Sequence, residues 1–325
     1  MGILKEMTLA LTLGLITPHS IASQAEIQTA GPEGLLRGTL TTAQNPNSIT
    51  ALIIPGSGPT DRDGNNPFGL NTNTYKLLAE ELAAQGITTL RIDKRGMFGS
   101  EKAISNPNAV TIDDYASDVQ SWISALRQQT DAKCVWLIGH SEGGLVSLVT
   151  AQRSKDICGL VLVASAGRPL GVLIREQLKS NPANAPILKD AISILEKLES
   201  GHKVDKSKIN SALLSLFHPE VQGFLINELT FDPAKLIGNI KKPILILQGL
   251  RDIQVGVADA KLLKKANLNS QLIFLKDTNH VLKTVKSDDR NENIKTYSNL
   301  LLPLADDVTK SISSFIKSNN NSKSE

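Results

Sequence analysis

Six short runs of uninterrupted apolar residues, separated by stretches of helical periodicity, constrain the fold of this chain more than any other feature. A strand that is apolar at every position is buried on both faces, which is typical of parallel sheets covered by helices. The alternation of such strands with helices predicts an α/β fold with a mostly parallel sheet. The predicted strands lie at 49–54, 87–92, 134–138, 160–164, 244–248 and 272–275.

Two segments depart from this alternation. Residues 26–42 combine two extended runs with a Gly-Pro-Glu-Gly turn, which predicts an N-terminal hairpin. Residues 168–235 carry Leu, Ile, Ala and Lys at helical spacing without a strand pattern, which predicts an inserted helical cap. The remaining core is predicted to comprise 26–167 and 236–317, and the polar residues 318–325 are predicted to be a disordered tail.

The composition is that of a globular protein and excludes several functional classes. Thirty-five basic and thirty-two acidic residues leave a net charge of +3, so no nucleic-acid partner is expected. Two Trp, three Tyr and seven Phe in 325 residues argue against a protein that binds its ligand by aromatic stacking. No apolar stretch reaches the roughly 20 residues that a membrane-spanning helix needs.

The N-terminal residues 1–25 are predicted to be a secretory signal peptide. The apolar run MTLALTLGLI at 7–16 follows Lys5, and the small residues at 20–25 suit a signal peptidase. The alternative is a frayed amphipathic end, because Glu6 weakens the positive charge before the run. A signal peptide places the mature protein outside the cytoplasm, either secreted or periplasmic.

The two cysteines also bear on whether the protein lies outside the cytoplasm. Cys134 and Cys158 each begin an apolar, strand-like run. If those runs are neighbouring parallel strands, the two sulfurs lie close enough to form a disulfide in an oxidising compartment. The alternative is a pair of buried free thiols that act as small apolar side chains.

The motif Gly-His-Ser-Glu-Gly at 139–143 lies between a predicted strand and a helical run. A serine on such a sharp turn projects from a strained backbone, and side chains at Gly139 and Gly143 would collide with the neighbouring chain. The N–H groups at the start of the helix favour an anionic intermediate. The motif therefore indicates a nucleophile at Ser141, the alternative being a structural turn with an idle serine.

With this motif, the sequence from about Ile49 to the last helix resembles the α/β-hydrolase superfamily. The resemblance implies that fold, with the nucleophile Ser141 followed by an acid after the next-to-last strand and a histidine after the last. Asp252 and His280 occupy those positions. His280 would accept the serine proton and Asp252 would orient the imidazole. Asp277 is a reserve acid that ranks below Asp252, because it precedes His280 by only three residues.

The resemblance also implies two backbone N–H groups that stabilise an oxyanion. One is the N–H of Glu142, the residue after the nucleophile. The other lies in the loop PGSGP at 55–59, where the family position favours Ser57. Many relatives carry His-Gly at the start of this loop, and here Pro55 replaces the histidine.

Two charged segments resemble the corresponding motifs of a bacterial branch of serine esterases and acyl hydrolases within the superfamily. They form the motifs DRD at 61–63 and RIDKRG at 91–96, and NHVLK at 279–283 is also typical of that branch. We interpret the charges in the first two motifs as ion pairs that brace loops, the alternative being contact with substrate.

Motifs for cofactors and metals fail at the positions that they require. The GSG at 56–58 has Asp61 where a dinucleotide fingerprint needs its third glycine. Asp61, Asp63 and Asn65 match the first ligands of a calcium loop, but Asn66 and Thr72 stand where that loop needs glycine and glutamate. Five scattered histidines and two cysteines form no zinc pattern, so neither metal nor cofactor is expected. The histidines at 19, 202 and 218 are not assigned to catalysis, and His140 is expected to pack beneath the turn.

The resemblance implies hydrolysis of a small-molecule ester through an acyl-enzyme. The same triad also serves peptidases and thioesterases, and a binding protein without activity can retain such a pocket. A dehalogenase would carry Asp in place of Ser141. The Leu and Ile residues of the cap suggest an apolar acyl group, unless they pack within the cap. These residues are Leu173, Ile174, Leu178, Ile187, Leu188, Leu213, Leu214 and Leu216.

Overall fold

The computed structural model describes residues 22–44 and 49–321. Most of the predicted signal peptide, residues 1–21, lies outside that range. Its last three residues belong to the first strand, where Ser23 pairs with Thr42 of the second. The strand begins before the predicted hairpin because these residues continue the same antiparallel ladder.

Eight strands form one sheet in the order β1-β2-β4-β3-β5-β6-β7-β8. The pairs β1·β2 and β2·β4 are antiparallel and the other five are parallel. The predicted hairpin and all six predicted apolar strands are confirmed. The strands are β1 Ser23–Ala30, β2 Leu35–Thr42, β3 Thr50–Ile54, β4 Thr88–Ile92, β5 Val135–His140, β6 Ile157–Val163, β7 Ile244–Gly249 and β8 Gln271–Leu275.

Helices cover both faces of the sheet, because successive residues of a buried strand point to opposite sides. Ile54 packs in a cluster with the helices α2, α3 and α9, whereas Ile53 packs with α1 and α11. In the part of the chain that the structure describes, no helix is long and apolar enough to cross a membrane. The helices around the sheet are α1 Thr74–Ala84, α2 Ile112–Thr130, α3 Glu142–Ala151, α9 Val257–Ala266 and α11 Asp307–Asn321.

The segment 168–235, which was predicted to be a helical cap, lies between β6 and β7 and forms helices without a strand. Seven of the eight Leu and Ile residues singled out in the sequence pack in an apolar cluster within the cap, and the eighth, Leu173, is also buried. The cap therefore uses them for its own core. Its helices are α4 Leu170–Ser180, α5 Leu188–Glu199, α6 Leu214–Phe217, α7 Gln222–Glu228 and α8 Pro233–Gly238.

Cys134 and Cys158 form a disulfide in the structure, with their Cα atoms 5.1 Å apart. Cys134 directly precedes β5 and Cys158 lies in β6, and these two strands are parallel neighbours. The bridge therefore joins these two strands at the end opposite to the turn that follows β5.

The last helix, α11, extends further than the sequence predicts. It continues to Asn321 and so includes half of the predicted disordered tail. Phe315 and Ile316 anchor its apolar side in the core. Ser318 Oγ and Asn319 Nδ2 both donate hydrogen bonds to the carbonyl of Phe315, at 3.0 and 2.9 Å. These bonds within the last turn let polar residues continue the helix.

Candidate active site

Ser141 occupies the turn between β5 and α3 with φ 53° and ψ −120°, a backbone conformation that residues other than glycine rarely adopt. A Cβ at Gly139 would lie 2.2 Å from the carbonyl oxygen of Gly143. A Cβ at Gly143 would lie 2.3 Å from the carbonyl oxygen of Ile54. Both glycines are therefore required by close backbone approach, as the motif predicts.

Asp252 and His280 meet beyond the ends of β7 and β8. The Nδ1 atom of His280 lies 2.8 Å from Oδ2 of Asp252, and both side chains are buried. The other carboxylate oxygen, Oδ1, accepts the backbone N–H groups of Gln254 and Val255 at 2.8 and 2.9 Å. Burial would raise the pKa of Asp252, but His280 and these N–H donors hold it below its usual value.

Because an ionised carboxylate only accepts hydrogen bonds, His280 donates from Nδ1 to Asp252. Its Nε2 is then free to accept a proton from a hydroxyl group. Ser141 and His280 line the same cavity of about 620 Å³, and Ser141 Oγ makes no hydrogen bond to any residue that the structure describes. Histidine, carboxylate and serine are therefore available at one edge of the sheet.

The loop after β3 lies directly against the serine turn. A Cβ at Gly56 would lie 3.3 Å from the Cβ of Ser141. Ser57 follows and lines the cavity. Glu142 begins α3, so its N–H has no partner within the helix. These backbone groups flank the serine on two sides.

Lys94 ties this loop to the start of α3. Its buried Nζ donates to the carbonyl of Gly56 at 2.8 Å and to Oε1 of Glu142 at 3.0 Å. The Glu142 side chain therefore faces the protein interior. The charged motif that contains Lys94 is visible in the sequence, but this contact was not predicted from it.

Tyr75 and His140 connect the first loop to the histidine loop. The Tyr75 hydroxyl accepts the N–H of Gly56 at 3.0 Å and lies 2.8 Å from Nδ1 of His140. Nε2 of His140 lies 2.8 Å from the carbonyl oxygen of His280, which can only accept, so this nitrogen carries the proton. Burial and the neighbouring His280 lower the pKa of His140 to about 3, which keeps the ring neutral. His140 thus packs beneath the turn, as expected, and also supports His280.

Comparisons with known proteins agree with this architecture. The family described as Hydrolase_4, serine aminopeptidase S33, matches residues 68–213. Esterase EstD of Thermotoga maritima is 28% identical over 254 residues, which are 76% of this chain and 58% of that protein. The chain therefore matches less than two thirds of the length of that relative. Lipase 1 of Psychrobacter immobilis is 24% identical over 249 residues, with 72% of this chain and 75% of that protein covered.

Among solved structures, the esterase Pf2001 of Pyrococcus furiosus superposes on the chain with a TM-score of 0.57 at 16% identity. The superposition covers 96% of this chain and 99% of that one. The chain therefore has the fold of the α/β hydrolases. The likeness in structure establishes the fold, and the expectation of an α/β-hydrolase fold with an N-terminal hairpin is confirmed.

The charged residues of the two motifs at 61–63 and 91–96 form ion pairs. Arg62 pairs with Asp93 at 2.7 Å, and Arg95 pairs with Asp118 at 2.6 Å. Neither pair lines the cavity, in agreement with the interpretation that they brace loops. Asp252, not the reserve acid Asp277, faces His280.

The remaining histidines lie away from the cavity or, in the case of His19, outside the described residues. His202 and His218 lie in the cap and do not line the cavity. Within residues 22–44 and 49–321, no group of three or more His, Cys, Asp or Glu side chains is placed to hold a metal ion.

A buried carboxyl group of the cap, Glu228, lies beneath the site. Burial and the nearby charge of Glu142 raise its pKa well above the usual value of 4.5, while Lys94 opposes the shift. Tyr115, which packs under Lys94, also faces it. A carboxyl group with a raised pKa in the folded state stabilises the protein at low pH, and that contribution is lost as the pH rises above 4.5.

We therefore expect Glu228→Gln to stabilise the protein at neutral and alkaline pH. The melting temperature at pH 8 should rise by about 2–4 °C, equivalent to ~1 kcal/mol, and the gain should shrink towards pH 5. Thermal unfolding across this pH range measures both. Glu220→Gln, at an exposed cap residue, is the control and should change little. A gain from Glu228→Gln that is equal at pH 5 and pH 8 would contradict the raised pKa.

Proposed function

We propose that the protein is a serine hydrolase that cleaves carboxylic esters through an acyl-enzyme. The observation that carries the proposal is the 2.8 Å contact between His280 Nδ1 and Asp252, in a cavity shared with Ser141. An alcohol is a weak nucleophile at neutral pH, and an oriented neutral imidazole beside it is the general means of activating it.

In the first half of the proposed reaction, Ser141 Oγ attacks the ester carbonyl carbon while His280 Nε2 takes the hydroxyl proton. The carbonyl oxygen becomes an oxyanion that accepts hydrogen bonds from the N–H groups of Ser57 and Glu142. Asp252 stabilises the imidazolium that forms. The C–O bond to the alcohol then breaks, the alcohol takes the proton from His280, and the acyl group stays on Ser141.

In the second half, water attacks the acyl-enzyme. His280 accepts a proton from the water, and the same two N–H groups hold the second oxyanion. The bond between the acyl carbon and Ser141 Oγ breaks, Ser141 recovers its proton from His280, and the carboxylic acid leaves. No atom from outside substrate, water and the chain is required.

The relatives support ester cleavage as the reaction, since they are named as an esterase and a lipase. Amide cleavage is the second candidate, because the matching family carries the description serine aminopeptidase. The same chemistry serves thioesters, and a fold alone does not fix activity.

The test is a panel of substrates that share one acyl group: a p-nitrophenyl ester, the matching p-nitroanilide and the matching thioester. We expect the ester to be hydrolysed with the highest kcat/KM. A higher kcat/KM for an aminoacyl p-nitroanilide would favour the peptidase, and tight binding of all three without turnover would favour a binding protein. Acyl chains of increasing length would then define the preference of the cavity.

We further propose that the protein works outside the cytoplasm. The support is the disulfide between Cys134 and Cys158, since disulfides persist in oxidising compartments and are rare in the cytosol.

A further inference from the structure

The wall of the cavity that faces the cap is polar. The cap contributes Gln177 and Ser180 to the lining, whereas its Leu and Ile residues pack in the separate cluster within the cap. Polar groups in a cavity determine which substrates bind, because each must be paired when water leaves. The cap residues therefore offer polar groups to a substrate, beside the apolar side chains that other segments contribute to the cavity.

This polar wall is held in place by hydrogen bonds between separate elements. Gln177 Nε2 donates to the carbonyl of Gln254 at 3.0 Å, and Gln254 Nε2 donates to the Tyr297 hydroxyl at 3.2 Å. Gln254 lies two residues after Asp252 and donates its N–H to that carboxylate. The wall is thus connected directly to the catalytic acid.

Arg290 stands at the exposed end of this wall and lines the cavity. It begins α10, Arg290–Lys295. In the same helix, Asn293 donates to the carbonyl of Arg251 at 2.7 Å and accepts from Asn279, the residue before His280, at 3.0 Å. The helix that carries Arg290 is therefore fixed to the loops of both Asp252 and His280.

The guanidinium of Arg290 forms no ion pair within the described part of the chain. Of the ten arginines in the sequence, eight form ion pairs, but Arg290 makes none with the described residues. The two preceding carboxylates are engaged elsewhere, since Asp288 pairs with Arg251 and Asp289 accepts the N–H of Asn291. Arg290 therefore presents its positive charge to the cavity without an ion-pair partner among the residues that the structure describes.

The charged side chain in the cavity lining is positive. Among the lining residues, Arg290 is the only Arg, Lys, Asp or Glu in the described part of the chain. An unpaired guanidinium beside neutral donors attracts a single negative charge and binds a carboxylate through two parallel hydrogen bonds. A phosphate dianion is generally held by a cluster of cations, which is not present in this lining.

On the basis of the proposed esterase function, we propose that the substrate is an ester that carries a carboxylate group and that Arg290 binds this group. Arg290 is thus a specificity residue for substrate binding and takes no part in the bond-breaking steps. The carboxylate lies on the acyl or the alcohol part of the ester.

The test uses two pairs of esters that differ only in charge. One pair places the charge on the acyl group: p-nitrophenyl hydrogen adipate and p-nitrophenyl methyl adipate. The other places it on the alcohol: 3-acetoxybenzoate and its methyl ester. Spontaneous hydrolysis is subtracted by means of the Ser141→Ala variant. We expect wild type to prefer the charged member of at least one pair by about tenfold in kcat/KM, mainly through KM.

Arg290→Gln should abolish this preference and leave kcat/KM for the neutral esters unchanged, and Arg290→Lys should keep part of it. Added salt should weaken the preference of wild type, since screening weakens attraction between exposed charges. Arg37→Gln is the matched control, because Arg37 is also exposed and without an ion pair to the described residues but does not line the cavity.

The subsite would be refuted if wild type shows no preference for the charged member in either pair. Loss of neutral and charged turnover in equal proportion in Arg290→Gln would also refute it, because that result indicates a structural role. If wild type hydrolyses none of the four esters, the esterase function itself fails, and the subsite fails with it. Turnover of the neutral esters therefore separates the two failures.

Discussion

Replacing Ser141 with alanine is expected to lower kcat for ester hydrolysis by about five to six orders of magnitude. The hydroxyl is the group that bonds to the acyl carbon, and without it only the oxyanion donors and substrate binding remain to accelerate direct attack by water. Alanine has the same Cβ as serine, so the strained backbone at this turn is no harder to adopt. Folding should therefore be preserved.

The measurement is kcat with a p-nitrophenyl ester, alongside thermal unfolding of both proteins. Ser57→Ala is the matched control, because only the backbone N–H of Ser57 is assigned a role, and its rate should stay within a few-fold of wild type. A fluorophosphonate probe should label wild type at Ser141 and leave Ser141→Ala unlabelled. Labelling of another residue, or retained activity in Ser141→Ala, would refute the mechanism.

Replacing Asp252 with asparagine is expected to lower kcat by about 10³–10⁴-fold. The reason lies in how the two oxygens are used. Oδ1 accepts the N–H groups of Gln254 and Val255, so the amide oxygen of asparagine should take that place. The amide NH₂ then faces His280 Nδ1 and donates to it. The imidazole proton moves to Nε2, the nitrogen that must accept the proton of Ser141.

Steady-state kinetics with the same ester measures this loss, and the KM should change much less than kcat. Asp277→Asn is the control, since Asp277 was the reserve acid from sequence and does not face His280 in the structure. A greater loss from Asp277→Asn than from Asp252→Asn would exchange the roles of the two carboxylates.

The strands and the serine turn could be predicted from the sequence because their signals are local. A strand buried on both faces must be apolar at each position, and the run before Gly139 shows this directly. The requirement for glycine at 139 and 143 arises from backbone within a few residues or in the adjacent strand. Asp252 and His280 are not identifiable from local signals, and the chain order of the superfamily supplied them.

The helical cap illustrates where sequence is ambiguous. Its Leu and Ile residues agree equally well with an apolar substrate site and with a core of the cap's own. Ile174 and Leu195 are both buried in the apolar cluster within the cap, so these residues form a core of the cap's own. Periodicity shows that one face of a helix is apolar, but it does not show what that face packs against.

The sequence by itself determined the order of strands and helices and the strained serine turn. Only the tertiary structure decided that Tyr75 and His140 join the first loop to the histidine loop, and that Glu228 of the cap lies beside Glu142. It also decided that Arg290 lines the cavity without an ion-pair partner among the residues described. The physical reason is that local structure follows from nearby residues, whereas these contacts join side chains far apart in the chain through the packing of whole elements.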